Sequence, residues 1–99
     1  MKQFTTQEQT AKLIELGFAY PKSCSGFSLD ETKDAVFYYD YSIGELIEML
    51  DEQGIEIIQI TDYWRVGHEH CDKCNDELID ALYEMVLQLK EEGVICGKQ

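Results

Sequence analysis

The chain has 99 residues, 44% of them hydrophobic and 11% aromatic, and it sets twenty Asp and Glu against eight Lys and Arg for a formal charge of −12. That apolar share predicts a packed core, and the length is that of a single domain, 1–99, which can bury about two thirds of its unfolded surface without metal or disulfide staples. The negative charge repels phosphate backbones and anionic head groups, so neither nucleic acid nor membrane is the expected direct partner.

No apolar region follows Lys2, and no run approaches the ~18 apolar residues of a spanning helix. Cytoplasm is the expected location. In that compartment the four cysteines are expected to be reduced thiols.

The first helix is expected from about Thr6 to Leu16, opened by Thr5 with Glu8 three residues on, the spacing of a capping box, and closed at Gly17. Pro21 to Lys33 reads as a loop, because Ser23, Ser25, Gly26 and Ser28 bring turn chemistry. Ala35 to Tyr41 reads as a strand with Phe37, Tyr39 and Tyr41 on one face.

A second helix is expected from Ile43 to Gln53, with Ser42 and Glu45 as its capping box, Ile43, Leu46, Ile47 and Leu50 on one face, and Gly54 as its stop. Ile55 to Ile60 is the clearest strand, and Tyr63 to Val66 its hairpin partner. Alternation breaks between Ile57 and Ile58, which predicts a bulge there or a strand covered on both faces.

The third helix is expected from Asp76 to Glu92 on the stripe Leu78, Ile79, Leu82, Met85, Val86 and Leu89, with Gly93 as its stop. Each helix-ending glycine has a leucine four residues before it and an apolar residue after it, the pattern of a left-handed C′ glycine with an apolar clasp. The order helix, strand, helix, strand, strand, helix predicts an α+β fold: a small, mostly antiparallel sheet of about three strands with three helices. Leu46, Ile47, Leu50, Ile58, Leu78, Leu82, Met85 and Leu89 are its expected core.

The stretches Thr5 to Gly17, Tyr41 to Leu50 and Glu77 to Val86, with the aromatic-Ser-apolar start at Tyr41-Ser42-Ile43, the Tyr63-Trp64 pair and Ile79-Asp80-Ala81, resemble a group of small uncharacterised proteins from phages and mobile elements of gut Bacteroides and their relatives. The resemblance covers roughly a third of the residues and implies provenance. It carries over no catalytic or binding residue, and the Cys71 and Cys74 pair departs from the group's pattern.

Three features point to chemistry. His68, His70, Cys71 and Cys74 are all good zinc ligands within seven residues, which makes a small zinc module one reading, although a second ligand pair would have to come from Cys24 and Cys96. Cys-x-x-Cys before a helix also suggests redox chemistry, but Asp72, Asp76 and Glu77 oppose thiolate formation. Carboxylates at Glu45, Glu48, Asp51 and Glu52, and at Asp76, Glu77, Asp80 and Glu84, admit an acidic mimic of DNA that inhibits a DNA-binding enzyme.

No phosphate loop, nucleophile elbow or dinucleotide fingerprint is present, so no enzyme class is indicated. The favoured expectation is a non-catalytic accessory protein that meets another protein, or a second copy of itself, through an aromatic or acidic face. Tyr39, Tyr41, Tyr63 and Trp64 are the expected contact residues, since tyrosine and tryptophan are enriched at interface hot spots.

Overall fold

A computed structural model describes residues 1–50, 53–69 and 71–95. Its described elements run α1 (Gln7–Glu15), β1 (Ser23–Leu29), β2 (Ala35–Asp40), α2 (Ile43–Met49), β3 (Glu56–Ile60), β4 (Tyr63–Gly67), β5 (Asp72–Asn75) and α3 (Leu78–Glu91). The class is α+β. The strands form two antiparallel sheets, a hairpin of β1 and β2 and a three-stranded sheet in the order β3-β4-β5. Among the described residues, no helix is long and apolar enough to cross a membrane.

Two strands lie where none was expected. β1 occupies most of the segment read as a loop, because β2, with Val36 and three aromatics in a row, is a strong strand former and offers its ladder to a neighbour of weak preference. The register slips between Cys24 and Gly26, so the extra residue, Ser25, forms a bulge. β5 is polar throughout and is held by pairing with β4, by the Arg65 to Asp72 ion pair at 2.9 Å and by Lys73 Nζ donating to Gln88 Oε1 on α3. Neither the bulge nor the two-sided cover expected at Ile57 and Ile58 is found: β3 pairs with β4 in unbroken register, and both side chains are exposed.

The helix starts follow local hydrogen bonding. α1 opens at Thr6 in place of Thr5: Thr6 Oγ1 accepts from the Gln9 amide and Gln9 Oε1 accepts from the Thr6 amide. Ser42 and Glu45 form the expected reciprocal box on α2. That helix ends at Met49, short of the expected Gln53, and residues 51 and 52 lie outside the described part.

All three glycines hold positive φ: 98° at Gly17, 66° at Gly54 and 75° at Gly93. After α1 the Gly17 amide donates to Ile14 O and the Phe18 amide to Leu13 O. After α3 the Gly93 amide donates to Lys90 O and the Val94 amide to Leu89 O. Both are Schellman closures, and a Cβ at either glycine would meet left-handed backbone strain of about 1–2 kcal/mol.

α3 is the centre of the molecule. Leu78, Ile79, Ala81, Leu82, Met85, Val86 and Leu89 are all buried, against β4 and β5 on one side and α2 on another. Leu13 on α1 and Phe18 after it, Tyr41, Leu46, Met49 and Leu50 around α2, Val66 on β4 and Ile95 after α3 complete the cluster. Two expected core residues are not in it. Ile47 (38% exposed) and Ile57 line a shallow apolar cleft over Leu82, and Ile58 (36%) points to the outer side of β3.

The N-terminal segment is strapped across this core. The Thr5 amide donates to Tyr41 O, the Ile43 amide to Gln3 O, and Lys2 reaches both Glu77 and Asp80 at the start of α3. Because Leu82 is fully enclosed, Leu82→Ala should lower unfolding free energy by roughly 2–5 kcal/mol in urea titration. A loss under about 1 kcal/mol would place Leu82 outside the core.

Candidate interaction surface

Paired residues of an antiparallel ladder share a face, so the register of β1 and β2 assigns every side chain of the hairpin. Phe27 opposite Phe37, Leu29 opposite Ala35 and Cys24 opposite Tyr39 lie on one face. Gly26 opposite Tyr38, Ser28 opposite Val36 and Ser23 opposite Asp40 lie on the other. The first face is open to solvent: Phe27 is 65% exposed, Leu29 62%, Phe37 55% and Tyr39 51%. The Phe27 and Phe37 rings meet across the strands at 6.0 Å between centroids, tilted by 42°. β1 and β2 pack extensively only on each other, so this face has no cover from the helices.

At its base the second face is anchored by a buried polar chain. Thr10 Oγ1 on α1 donates to Asp40 Oδ1, which uses that hydroxyl's one hydrogen, so in the 2.7 Å contact between Thr5 and Thr10 it is Thr5 that donates. Thr5 Oγ1 in turn accepts from the Tyr41 amide at 3.1 Å. Ser25, in the bulge, donates to Asp40 Oδ2 at 2.6 Å, a charge-assisted bond that outcompetes its 3.3 Å approach to Tyr38 O. Asp40 thus accepts on both oxygens, and the bulge exists where Ser25 must turn toward it. Such a network specifies one orientation only while every member is satisfied. Among the described residues no buried side-chain N or O lacks a partner.

Of the residues expected to make contacts, only Tyr39 lies on the open hairpin face. Tyr41 is corrected to the core: it is 1% exposed, it follows β2 where the chain turns inward, and its hydroxyl donates to Ala19 O. Burial beside Glu45 and Tyr20 pushes its phenol up to about 12, so it remains a donor across the physiological range. Tyr63 and Trp64 are adjacent in β4 and point to opposite faces. Tyr63 is exposed on the outer side of the sheet, and Trp64 packs against the core under α3.

Phe27 and Leu29 were missed because the serines and glycine around them read as turn. Their period-2 spacing just before Asp30 was the available signal. Asp30 Oδ1 accepts from the amides of Thr32 and Asp34 and builds the hairpin tip.

Within the cysteine and histidine cluster, the sheet sets Cys71 and Cys74 apart. His68 and Cys71 exchange backbone hydrogen bonds, N to O, at 2.8 and 3.2 Å, closing the turn between β4 and β5. Cys71 turns inward, its thiol 3.6 Å from Met85 Sδ, while Cys74, three residues on and opposite Arg65, stands exposed on the outer face. The two thiols therefore point to opposite sides of the strand, and a single zinc ion taking both would require β5 to leave its pairing. His70 and Cys96 lie outside the described residues. Among the described residues no three His, Cys, Asp or Glu side chains gather as a metal site. Burial, with Glu92 nearby, pushes the Cys71 thiol up, which disfavours the thiolate.

Several acidic side chains have structural duties. Glu45 accepts from the amides of Ser42 and Lys22. Burial works to raise its carboxyl, and hydrogen bonds from Ser23, Lys22 and Ser42 outweigh that and hold it below the usual range. Asp80 accepts from Lys2 and Gln9, and Glu77 from the Lys2 amide. Asp76 and Glu77 precede α3 and do not lie on its face, and Asp51 and Glu52 are outside the described residues. The cleft beside α2, about 180 Å³ between Tyr20, Lys22, Tyr41, Glu45 and Glu48, is thus edged by a carboxylate already committed to the fold.

Two measurements check these placements. Asp40→Ala leaves the Ser25 and Thr10 hydroxyls without their carboxylate acceptor and should cost roughly 1–3 kcal/mol, with amide exchange speeding up more in the hairpin than in α3 relative to wild type. Asp40→Asn should recover most of that, because its amide oxygen still accepts from Thr10 while Ser25 redirects to Tyr38 O. Equal loss in both variants would contradict the assigned chain. In pulsed alkylation read by peptide mass, Cys24 and Cys74 should react well before Cys71, and a slight excess of zinc should change none of the three. Joint protection of Cys71 and Cys74 by zinc would overturn the strand placement.

No protein-family model, no curated protein and no solved structure matches the chain, so its function is read from its own surface.

Proposed function

We propose that this is a non-catalytic interaction protein, an accessory factor of a phage or mobile element in keeping with the resemblance of its helices, and that the open face of the β1–β2 hairpin is its contact surface. The observation that carries the reading is the presence of Phe27, Leu29, Phe37 and Tyr39 on one uncovered face of a two-stranded sheet. A lone hairpin is marginally stable in water at best, and a contiguous apolar patch on a charged protein marks an interaction site. Aromatic side chains suit the task because they offer large contact area for few rotatable bonds.

The buried Asp40 chain supports the same reading, since it fixes the hairpin at its base while leaving the open face untouched. Recognition therefore starts from a hairpin whose direction is already set at its base, which lowers part of the entropic cost of binding.

The experiment is co-purification from the native host with tagged wild type and with the double variant Phe27→Ser and Phe37→Ser, each checked for thermal stability. Both side chains are more than half exposed, so the variant should melt within a few degrees of wild type. The expected outcome is a stoichiometric partner, foreign or an untagged copy, held by wild type and lost from the variant. Retention of the same partner by both would move the contact surface elsewhere.

A further inference from the structure

The reading of the hairpin as a contact surface leaves its occupant open, and the distribution of charge narrows it. The chain carries −12, with twenty acidic residues in 99 positions, yet the twelve residues Ser23–Leu29 and Ala35–Tyr39 include no Asp, Glu, Lys or Arg. Asp40 is the one acid in the two strands, and it is buried against Thr10 and Ser25 on the opposite side.

In a two-fold contact every residue of the seam is repeated across the axis, so a carboxylate there meets its own copy. A protein this acidic can meet itself only through a patch from which acids are missing, and the open hairpin face is such a patch. A partner drawn in by charge would instead be basic and would dock where the carboxylates are.

We infer that the partner at this face is a second copy of the chain, with the two hairpins stacked face to face and running in opposite directions. The direction follows from charge as well. Two stackings place one open face on another: strands parallel, which sets both acidic bodies at the same end, or strands antiparallel, which sets them at opposite ends. At ~0.15 M salt the screening length is ~8 Å, so bodies side by side repel and bodies at opposite ends do not.

With the axis through the Phe27 and Phe37 pair, Phe37 faces its own copy and Leu29 reaches toward the partner's Cys24 and Tyr39. Four stacked strands then enclose the aromatic cluster that each hairpin leaves open. The area is modest: at about 150–250 Å² for each fully buried aromatic, the half-exposed Phe27, Phe37 and Tyr39, with Leu29 beside them, contribute on the order of 400 Å² per copy. That sits at the low end for specific association, so the dimer is weak, with a dissociation constant between roughly 1 μM and 1 mM.

Sedimentation equilibrium over a ~100-fold concentration range reaching ~1 mM tests this at low and at physiological salt. Wild type should approach dimer mass as concentration rises, and at least threefold more tightly in the higher salt, because screening relieves repulsion between the bodies. Phe37→Asp and Phe37→Lys should each be monomeric alone, and an equal mixture should regain dimer mass, which a misfolded variant cannot do. Val36→Asp, on the opposite face, should remain dimeric.

A strict monomer in both salts overturns the self-contact while leaving the contact-surface reading to the co-purification experiment, which separates the two. A dimer that tightens as salt is removed, a dimer that survives Phe37→Asp, a mixture that stays monomeric, or a Val36→Asp monomer each overturns it as well.

Discussion

Helix α3 buries seven side chains from Leu78 to Leu89, and it does so by taking the inner face of β4 and β5 on one side and α2 on another. In a chain of 99 residues with three helices among its described elements, that enclosure uses most of the apolar surface available for covering anything else. α1 adds Leu13 and, through its Schellman closure, Phe18 to the same cluster. None of the described helices packs extensively on the hairpin of β1 and β2. The exposed aromatic face is the consequence of where the core was spent.

The hairpin is nevertheless not loose at its root. The bulge at Ser25 and the turn inward at Tyr41 both serve the buried hydroxyl chain that ends on Asp40, and that chain joins β1, β2, α1 and the N-terminal segment. Charge-assisted bonds to a carboxylate in a poorly solvated position are directional, so they set the angle at which the strands leave the body. Apolar contact alone would not, since it is indifferent to orientation. A polar root and an apolar outer face divide the labour between holding the hairpin and presenting it.

Much of this fold is written in local sequence. The reciprocal boxes at the helix starts, the glycine stops at 17 and 93 and the stripe of α3 depend on residues a few positions apart, so they survive reading without coordinates, with a one-residue error where Thr5 and Thr6 compete for the same role. What escaped depends on partners distant in sequence. β1 is a strand because β2 is beside it, and β5 because β4 and Gln88 hold it, while their own serines, glycine, lysine and aspartate favour turns. The candidate surface divided along the same line: Tyr39 was legible in an aromatic run, Phe27 and Leu29 were hidden in a segment that read as loop, and Tyr41 changed sides because its hydroxyl found Ala19 O. Cys71 and Cys74 looked like a pair in sequence until strand geometry set them on opposite faces.

The hairpin is anchored at its root and uncovered on its outer face, where the proposed partner would bind. Amide hydrogen exchange at two protein concentrations tests this most directly, because protection reports the opening free energy of each segment separately. At high dilution, exchange across Phe27–Leu29 and Val36–Tyr38 should be orders of magnitude faster than across Leu82–Leu89 in α3, and it should slow when the concentration is raised or a partner is added. Hairpin protection equal to that of α3 at high dilution would show that the element is stable by itself, and would contradict the account.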